Sequence, residues 1–197
     1  MGRPIKEKSL TQQDVIAAAI ACLDKEGESA LGVNRVAREL GIKPPAIYKH
    51  LDGNAALRRA VALTIWWQYA QWCRQRTDTL DDPHALLRVG GQATRDFARL
   101  HAARYRVMIQ FQLNLSDPET APLIQEVFGF LKRVLQSYDL NEIRLIDAMR
   151  MVNAAITGFI AIEQAGLMTL ERSTDASYEV MLDALVVAIK YIQQVDS

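Results

Sequence analysis

The sequence predicts an all-α protein: a small N-terminal three-helix unit over residues 1–53 and a larger helical bundle over 54–197. Three stretches carry that expectation. Val33 to Leu57, VNRVARELGIKPPAIYKHLDGNAAL, reads as two short helices braced across a sharp turn, with a third helix opening behind them. Asn54 to about Arg76 then runs without a Gly or Pro, so one helix of roughly 30 Å is expected at 1.5 Å rise per residue. Near the C-terminus, Met151 to Ile162 carries no charge and Val180 to Ile189 is nearly as apolar. Helices apolar on every side must be covered on every side.

The 197 residues are 50% hydrophobic, enough for a packed core rather than a disordered chain. Charge balances at 23 basic and 23 acidic residues, but residues 1–59 hold 10 Lys/Arg against 7 Asp/Glu. Within Val33 to Leu51, Arg35, Arg38, Lys43 and Lys49 face only Glu39, which concentrates positive charge on the two short helices. Cys22 and Cys73 lie far apart inside helical patterns, as buried, reduced thiols do. The opening MGRPIKEKSL has no apolar run, and no stretch reaches 18 uninterrupted apolar residues. A signal peptide and a membrane span are therefore not expected, and a cytoplasmic location is.

The basic arm Gly2-Arg3-Pro4, with Lys6 and Lys8, shows no periodicity. A loose terminus and an arm for a DNA minor groove both fit it. Thr11 with Asp14 three residues on makes a capping box, Val15, Ile16, Ala19, Ile20 and Leu23 follow at helical spacing, and Gly27 ends the element. Its apolar stripe should pack on Val36, Leu40, Ile47 and Leu51. Ala37 is small enough for a close helix crossing, Gly41 can take the positive φ of the turn, and Pro44-Pro45 suit a first helical turn. From Pro44 to His50, Ala46, Lys49 and the polar ends of Tyr48 and His50 face outward, a surface suited to a major groove and its phosphates.

VARELGIKPPAIYKHLDGNAAL is similar to the DNA-binding signature of TetR-type transcriptional regulators: the Ala37 to Gly41 spacing, the Tyr48-Lys49-His50-Leu51 run, and Leu57 opening the next helix. The match reaches back through the helix from Thr11 to Glu26, about the first third of the chain. It implies a homodimeric regulator on a palindromic double-stranded operator, most often a repressor, released by a small-molecule effector of unknown identity. By residue matching, Asn34, Lys43, Pro44, Pro45 and Ala46 would meet bases, while Arg35, Tyr48, Lys49, His50 and Asn54 would hold phosphates. Arg3 would enter the minor groove, since many such proteins begin with a similar arm. The family usually carries lysine where this chain has Asn54.

The long helix holds Trp66, Trp67, Tyr69 and Trp72, which fits core packing, or in part the lining of a ligand cavity. Asp81-Asp82-Pro83 starts a helix to Leu100, with the acids as caps rather than a catalytic pair. Arg95, Arg99, Arg104 and Arg106 read as a solvated basic face pairing with Asp96 and other carboxylates. Further helices are expected over Tyr105–Leu115 and from Pro122 to Tyr138, then from an Asn141 cap to about Met168, and from Ser173 to Gln194. The last two should form an antiparallel pair that meets its twin in a four-helix dimer interface, with Gly158 allowing close approach. NAAITGFIAIEQAG is also similar to a subgroup of TetR ligand domains, keeping its glycine as Gly158 but with Asn153 and Thr157 where Trp and His would stand. Candidates for an effector site are Trp66, Tyr69, Met108, Phe111, Gln112, Phe128, Asn153 and Thr157. Glu163 could meet a cationic ligand or be a buried acid tied to a neighbouring helix.

No enzyme chemistry emerges from the remaining residues. His50, His84 and His101 have no metal-ligand spacing with each other or with the cysteines, and Gly90-Gly91 lies inside a helix rather than a phosphate loop. No catalytic residue, metal or cofactor is expected. Two alternatives remain at this level: control by a protein partner, and a helical binding protein or enzyme with a vestigial DNA-binding module.

Overall fold

The computed structural model describes residues 10–194. Among these residues the chain is helical throughout: α1 (Gln12–Glu26), α2 (Val33–Glu39), α3 (Pro44–Tyr48), α4 (Gly53–Thr77), α5 (Pro83–Leu100), α6 (Ala102–Gln110), α7 (Ala121–Leu135), α8 (Glu142–Gln164) and α9 (Thr174–Gln194), with single 3-10 turns at Glu28–Ala30 and Gln136–Tyr138. Two compact units form. One takes in the chain up to Trp66 together with Ala103–Gln112; the other takes Trp67–Ala102 and the chain from Leu113 on. The first unit thus includes the beginning of α4 and nearly all of α6, where the sequence suggested an end at residue 53.

In the first unit, α1 opens as its sequence requires. Thr11 Oγ1 accepts from the Asp14 amide at 3.1 Å, and Asp14 Oδ2 accepts from the Thr11 amide at 2.9 Å, so two orphan donors are satisfied reciprocally. Val15, Ala19, Cys22 and Leu23 of α1 are buried with Val36, Ala37, Ile47, Leu57, Val61 and Ile65. From α6, Tyr105, Val107 and Met108 join this core, and Arg104 fixes the helix to α1 by paired bonds to Asp24 at 2.9 and 2.5 Å.

In the second unit, α5 is the central element. Asp82 caps it, accepting from the Ala85 amide at 2.7 Å, and its adjacent glycines let two helices come close. A Cβ on Gly90 would stand 2.2 Å from Phe130 Cζ of α7, and one on Gly91 would stand 2.6 Å from Leu182 Cδ2 of α9. Trp72 of α4 donates to Ala93 O at 2.9 Å, and Tyr178 of α9 to Gly91 O at 2.7 Å. Asn141 caps α8 as expected, accepting from the Arg144 amide at 2.9 Å. Cys22 and Cys73 are both buried and reduced, and burial pushes the Cys73 thiol up to about 11.

Several expectations need correction. The helix drawn to Leu115 stops at Gln110, because Asn114 and Asp117 turn the backbone: Asn114 O receives Thr120 Oγ1, and the Asp117 amide bonds Asn114 O at 3.1 Å. The helix drawn to Met168 ends at Gln164, where Gly166 takes φ +69° and the Gly166 and Leu167 amides bond back to Glu163 and Ile162. The basic run is a solvated face only in part: Arg99 and Arg106 are exposed, but Arg95 is not. Arg95 is 1% exposed, pairs with Glu163 and Asp175, and lies 4.5 Å from the Tyr178 ring centre. Arg99 reaches the same two carboxylates at 2.8 and 2.7 Å. Glu163 is therefore the acid tied to a neighbouring helix, and the Arg95 hydrogen bond holds its carboxyl down at about 2.

Candidate nucleic-acid interface

The turn between α2 and α3 follows from one backbone position. Gly41 adopts φ +66°, its amide bonds Arg38 O at 3.2 Å, and the Ile42 amide bonds Ala37 O at 3.0 Å. These two reverse bonds satisfy the carbonyls that end α2, and a side chain at Gly41 would strain the conformation they need. Lys43 then runs extended into Pro44-Pro45, which occupy the first turn of α3 where a missing N–H costs nothing.

Only Ile47 of α3 is buried, and the small Ala37 of α2 is buried too, as the close crossing requires. The rest of the short helix is presented outward. Lys43, Pro45, Tyr48 and Lys49 are exposed, Pro44, Ala46 and His50 are half-buried, and Asn34 of α2 is exposed. These are the residues matched to bases and phosphates. Arg3 lies outside the described residues.

Two of the matched residues also bond within the fold. Arg35 is folded back: Nε donates to both Glu26 oxygens at 3.0 Å, and Nη2 donates to Glu26 and, at 2.8 Å, to Glu39. Lys25 adds a 2.9 Å pair to Glu39. Both carboxyls are held below the usual range, Glu26 by Arg35 and Glu39 first by Lys25 and then by Arg35. The Arg35 charge is thus spent within the fold, because its guanidinium matches two carboxylates in bidentate fashion. The positive charge at the motif rests on Arg38, Lys43 and Lys49. Asn54 accepts through Oδ1 from the Val33 amide at 2.9 Å, which ties the start of α4 to the start of α2. A sequence signal for that bond existed: Gly32 sits at the N-cap of α2 and has no side chain to cap it.

The eight effector candidates divide evenly between the units. In the first, Trp66 is half-buried, Met108 is core, Gln112 is exposed, and the Phe111 ring lies 5.8 Å from the Arg59 guanidinium. In the second, Tyr69 shares a 2.9 Å hydrogen bond with Thr94, and Phe128 is exposed. Asn153 is exposed and accepts from Thr157 at 3.4 Å, so this polar pair belongs to the uncovered face of α8 and not to the interior of the protomer.

A helix-turn-helix with one anchored and one outward-facing short helix defines a DNA-binding class of protein. Residues 15–61 match the bacterial regulatory proteins of the tetR family, and residues 87–185, half of the chain, match the tetracyclin repressor-like C-terminal domain. The chain belongs to the TetR family: it is a helix-turn-helix transcriptional regulator that binds DNA, in a family of regulators rather than enzymes. It is 29% identical over 182 residues to an HTH-type transcriptional regulator of Mycobacterium tuberculosis, covering 92% of this chain and 81% of that one. Among solved structures it resembles BioQ with its double-stranded DNA operator, at 26% identity and TM-score 0.65 over 92% of this chain and 98% of that one. It also shares the fold of a TetR variant from Acinetobacter baumannii in complex with minocycline, at 21% identity and TM-score 0.73 over 94% of this chain and 99% of that one.

Proposed function

We propose that the chain is a homodimeric repressor that holds a palindromic operator through two copies of α3 and lets go when a small molecule binds its C-terminal unit. The observation that carries the dimer is the outer face of the last two helices. α8 and α9 bury Ile160, Leu182 and Ile189 in the protomer, yet leave Ile143, Ile146 and Ile162 of α8 and Val180, Val187 and Tyr191 of α9 exposed. By length and composition α8 is apolar enough to cross a membrane, and only 22% of its most apolar stretch is buried. Gly158 lies on that helix with nothing within 4 Å of a would-be Cβ. A second copy related by a twofold axis covers such a face with itself.

Asn34, Lys43, Pro44, Pro45 and Ala46 then read bases, with the apolar members touching thymine methyls. Tyr48, Lys49 and His50 hold phosphates, and Arg3 serves as the minor-groove arm. Twofold symmetry places the half-sites about 34–36 Å apart. Arg35, spent on Glu26 and Glu39, is not among the contacts. The minocycline complex of a same-fold protein supports a small-molecule effector, and Tyr69 and Phe128 are the candidates for it in the C-terminal unit. Such a regulator works in the cytoplasm.

Selection of bound duplexes from a random pool tests the reading. An inverted repeat with half-sites one helical turn apart is the expected product. Recovery of a single asymmetric half-site by a monomeric chain would overturn it.

A further inference from the structure

The resemblance assigns Asn54 to phosphate contact, which would use its NH2 group, and its oxygen is engaged inside the fold. α2 begins at Val33, and its N-cap, Gly32, has extended backbone at φ −146° and ψ 144° with no side-chain cap. The Gly32 carbonyl already receives the Arg35 and Val36 amides, each at 3.0 Å. Val33 N–H is one of the orphan donors that every helix leaves at its N-terminus. Asn54, the second residue of α4 and 21 positions away, supplies the missing acceptor at 2.9 Å.

We propose that Asn54 is a positioning residue for DNA recognition: its carboxamide oxygen tethers the first turn of α4 to the N-terminus of α2 and so fixes how the α2–α3 pair is presented. This rests on the DNA-binding reading given above. The physical basis is leverage. α2 and α3 form one body, because the Gly41 turn joins them by hydrogen bonds and each buries an apolar residue, Ala37 on α2 and Ile47 on α3. The pair is already held to α1 by the Arg35–Glu26 and Lys25–Glu39 bonds, and the Asn54 bond adds a tie to α4 at the end of α2 opposite the turn. Arg58, one turn further along α4, adds an exposed 3.2 Å pair to Glu28 just ahead of α2. Exposed pairs of this kind contribute little, so the carboxamide is the stronger tie.

The same bond is also a helix cap, and a cap alone would stabilise without positioning. The two roles separate by moving the cap. A Cβ on Gly32 would meet only Asn54 Oδ1, at 3.8 Å, and the extended backbone there is the one an N-cap serine adopts. Gly32→Ser therefore caps α2 from its own chain, through the amides of the second or third helical residue, without tying it to α4.

The experiment compares wild type, Asn54→Ala, Asn54→Ala with Gly32→Ser, and Lys49→Ala. It measures thermal stability, exchange of the Val33 amide by NMR, and affinity at two salt concentrations for the duplex selected from the random pool and for an unrelated duplex. Asn54→Ala is expected to speed Val33 exchange and weaken selected-duplex binding, each about tenfold, the scale of one lost N-cap, while the unrelated duplex is bound as by wild type. The double variant should regain thermal stability but not affinity. Lys49→Ala should leave the Val33 amide protected, weaken both duplexes alike and lower the slope by about one.

If Gly32→Ser restores affinity along with stability, Asn54 is only a cap and the proposal is overturned. Equal weakening of the selected and the unrelated duplex in Asn54→Ala would overturn it in favour of phosphate contact, and wild-type affinity in that variant would overturn it outright. If the wild-type chain distinguishes neither duplex from the other and binds neither, the DNA-binding reading itself fails and the proposal with it.

Discussion

Glu163 is the residue on which most of the buried charge converges. Arg95 Nε donates to it at 3.0 Å and Arg99 at 2.8 Å, and its side chain is 15% exposed. A carboxylate gripped by two guanidinium groups resists protonation, hence its value of about 2 against an ordinary 4.5. Because the folded value lies below the unfolded one, the stabilisation is fully present above about pH 5 and drains away as pH falls toward 2. Glu163→Gln should therefore flatten the acid limb of stability against pH, as read by urea denaturation at fixed steps between pH 7 and 2.5. At neutral pH it should cost about 3 kcal/mol, since Arg95 is left buried with Asp175 alone. An acid limb identical to wild type would show that the network carries no linkage. The identity of Glu163 as a tied acid was one of two readings open in the sequence. That Arg95 would be buried and Arg99 exposed was not legible, because nothing local distinguishes the two arginines.

At the scale of elements, the glycines of α5 and α7 look alike in the sequence and differ in the fold. Gly90 sits where α7 crosses, with Phe130 Cζ 2.2 Å from its would-be Cβ, whereas Gly129 of α7 has nothing within 4 Å. In a helix, Gly to Ala gains about 1 kcal/mol where space is open, and overpacking costs about 1–3 kcal/mol where it is not. Gly129→Ala should thus raise stability by up to about 1 kcal/mol and Gly90→Ala lower it by about 1–2 kcal/mol, measured by thermal melting. Shifts of the same sign would mean that the Phe130 ring turns aside without cost. The existence of nearly every helix was legible from caps and periodicity, as the Thr11, Asp82 and Asn141 caps show. The early end of α6 was not, because Asn114 Oδ1 accepts from the Ser116 amide at 2.9 Å and Asp117 Oδ1 from the Glu119 amide at 3.0 Å, turns that compete with a helical pattern that otherwise continues.

At the scale of the whole molecule, the proposed homodimer rests on the uncovered face of α8 and α9. Val187 is 67% exposed, so a charge there is hydrated in a single protomer and desolvated only if a second copy covers it. Val187→Glu is expected to leave the helical content and melting of the protomer intact, to shift the sedimenting species from dimer to monomer, and to abolish tight binding to an inverted repeat. A dimer that survives this change would place the interface elsewhere. The apolar character of both helices was readable in the sequence. The side of each that stays uncovered was not, since it depends on which faces α5 and the partner helix take up.

What the sequence determined by itself is local. The capping box at Thr11, the reverse bonds around Gly41, the prolines opening α3 and the single inward anchor at Ile47 all depend on residues within about one or two helical turns of each other, so spacing suffices to find them. The tertiary structure alone decided where charge and polar groups are spent. Arg95 is 1% exposed and Arg99 42%, Arg35 turns back onto Glu26, and Asn54 serves Val33 across 21 residues. A polar side chain bonds whatever partner the fold brings within 3 Å, and that partner is set by how distant helices pack rather than by the residue's neighbours in the chain.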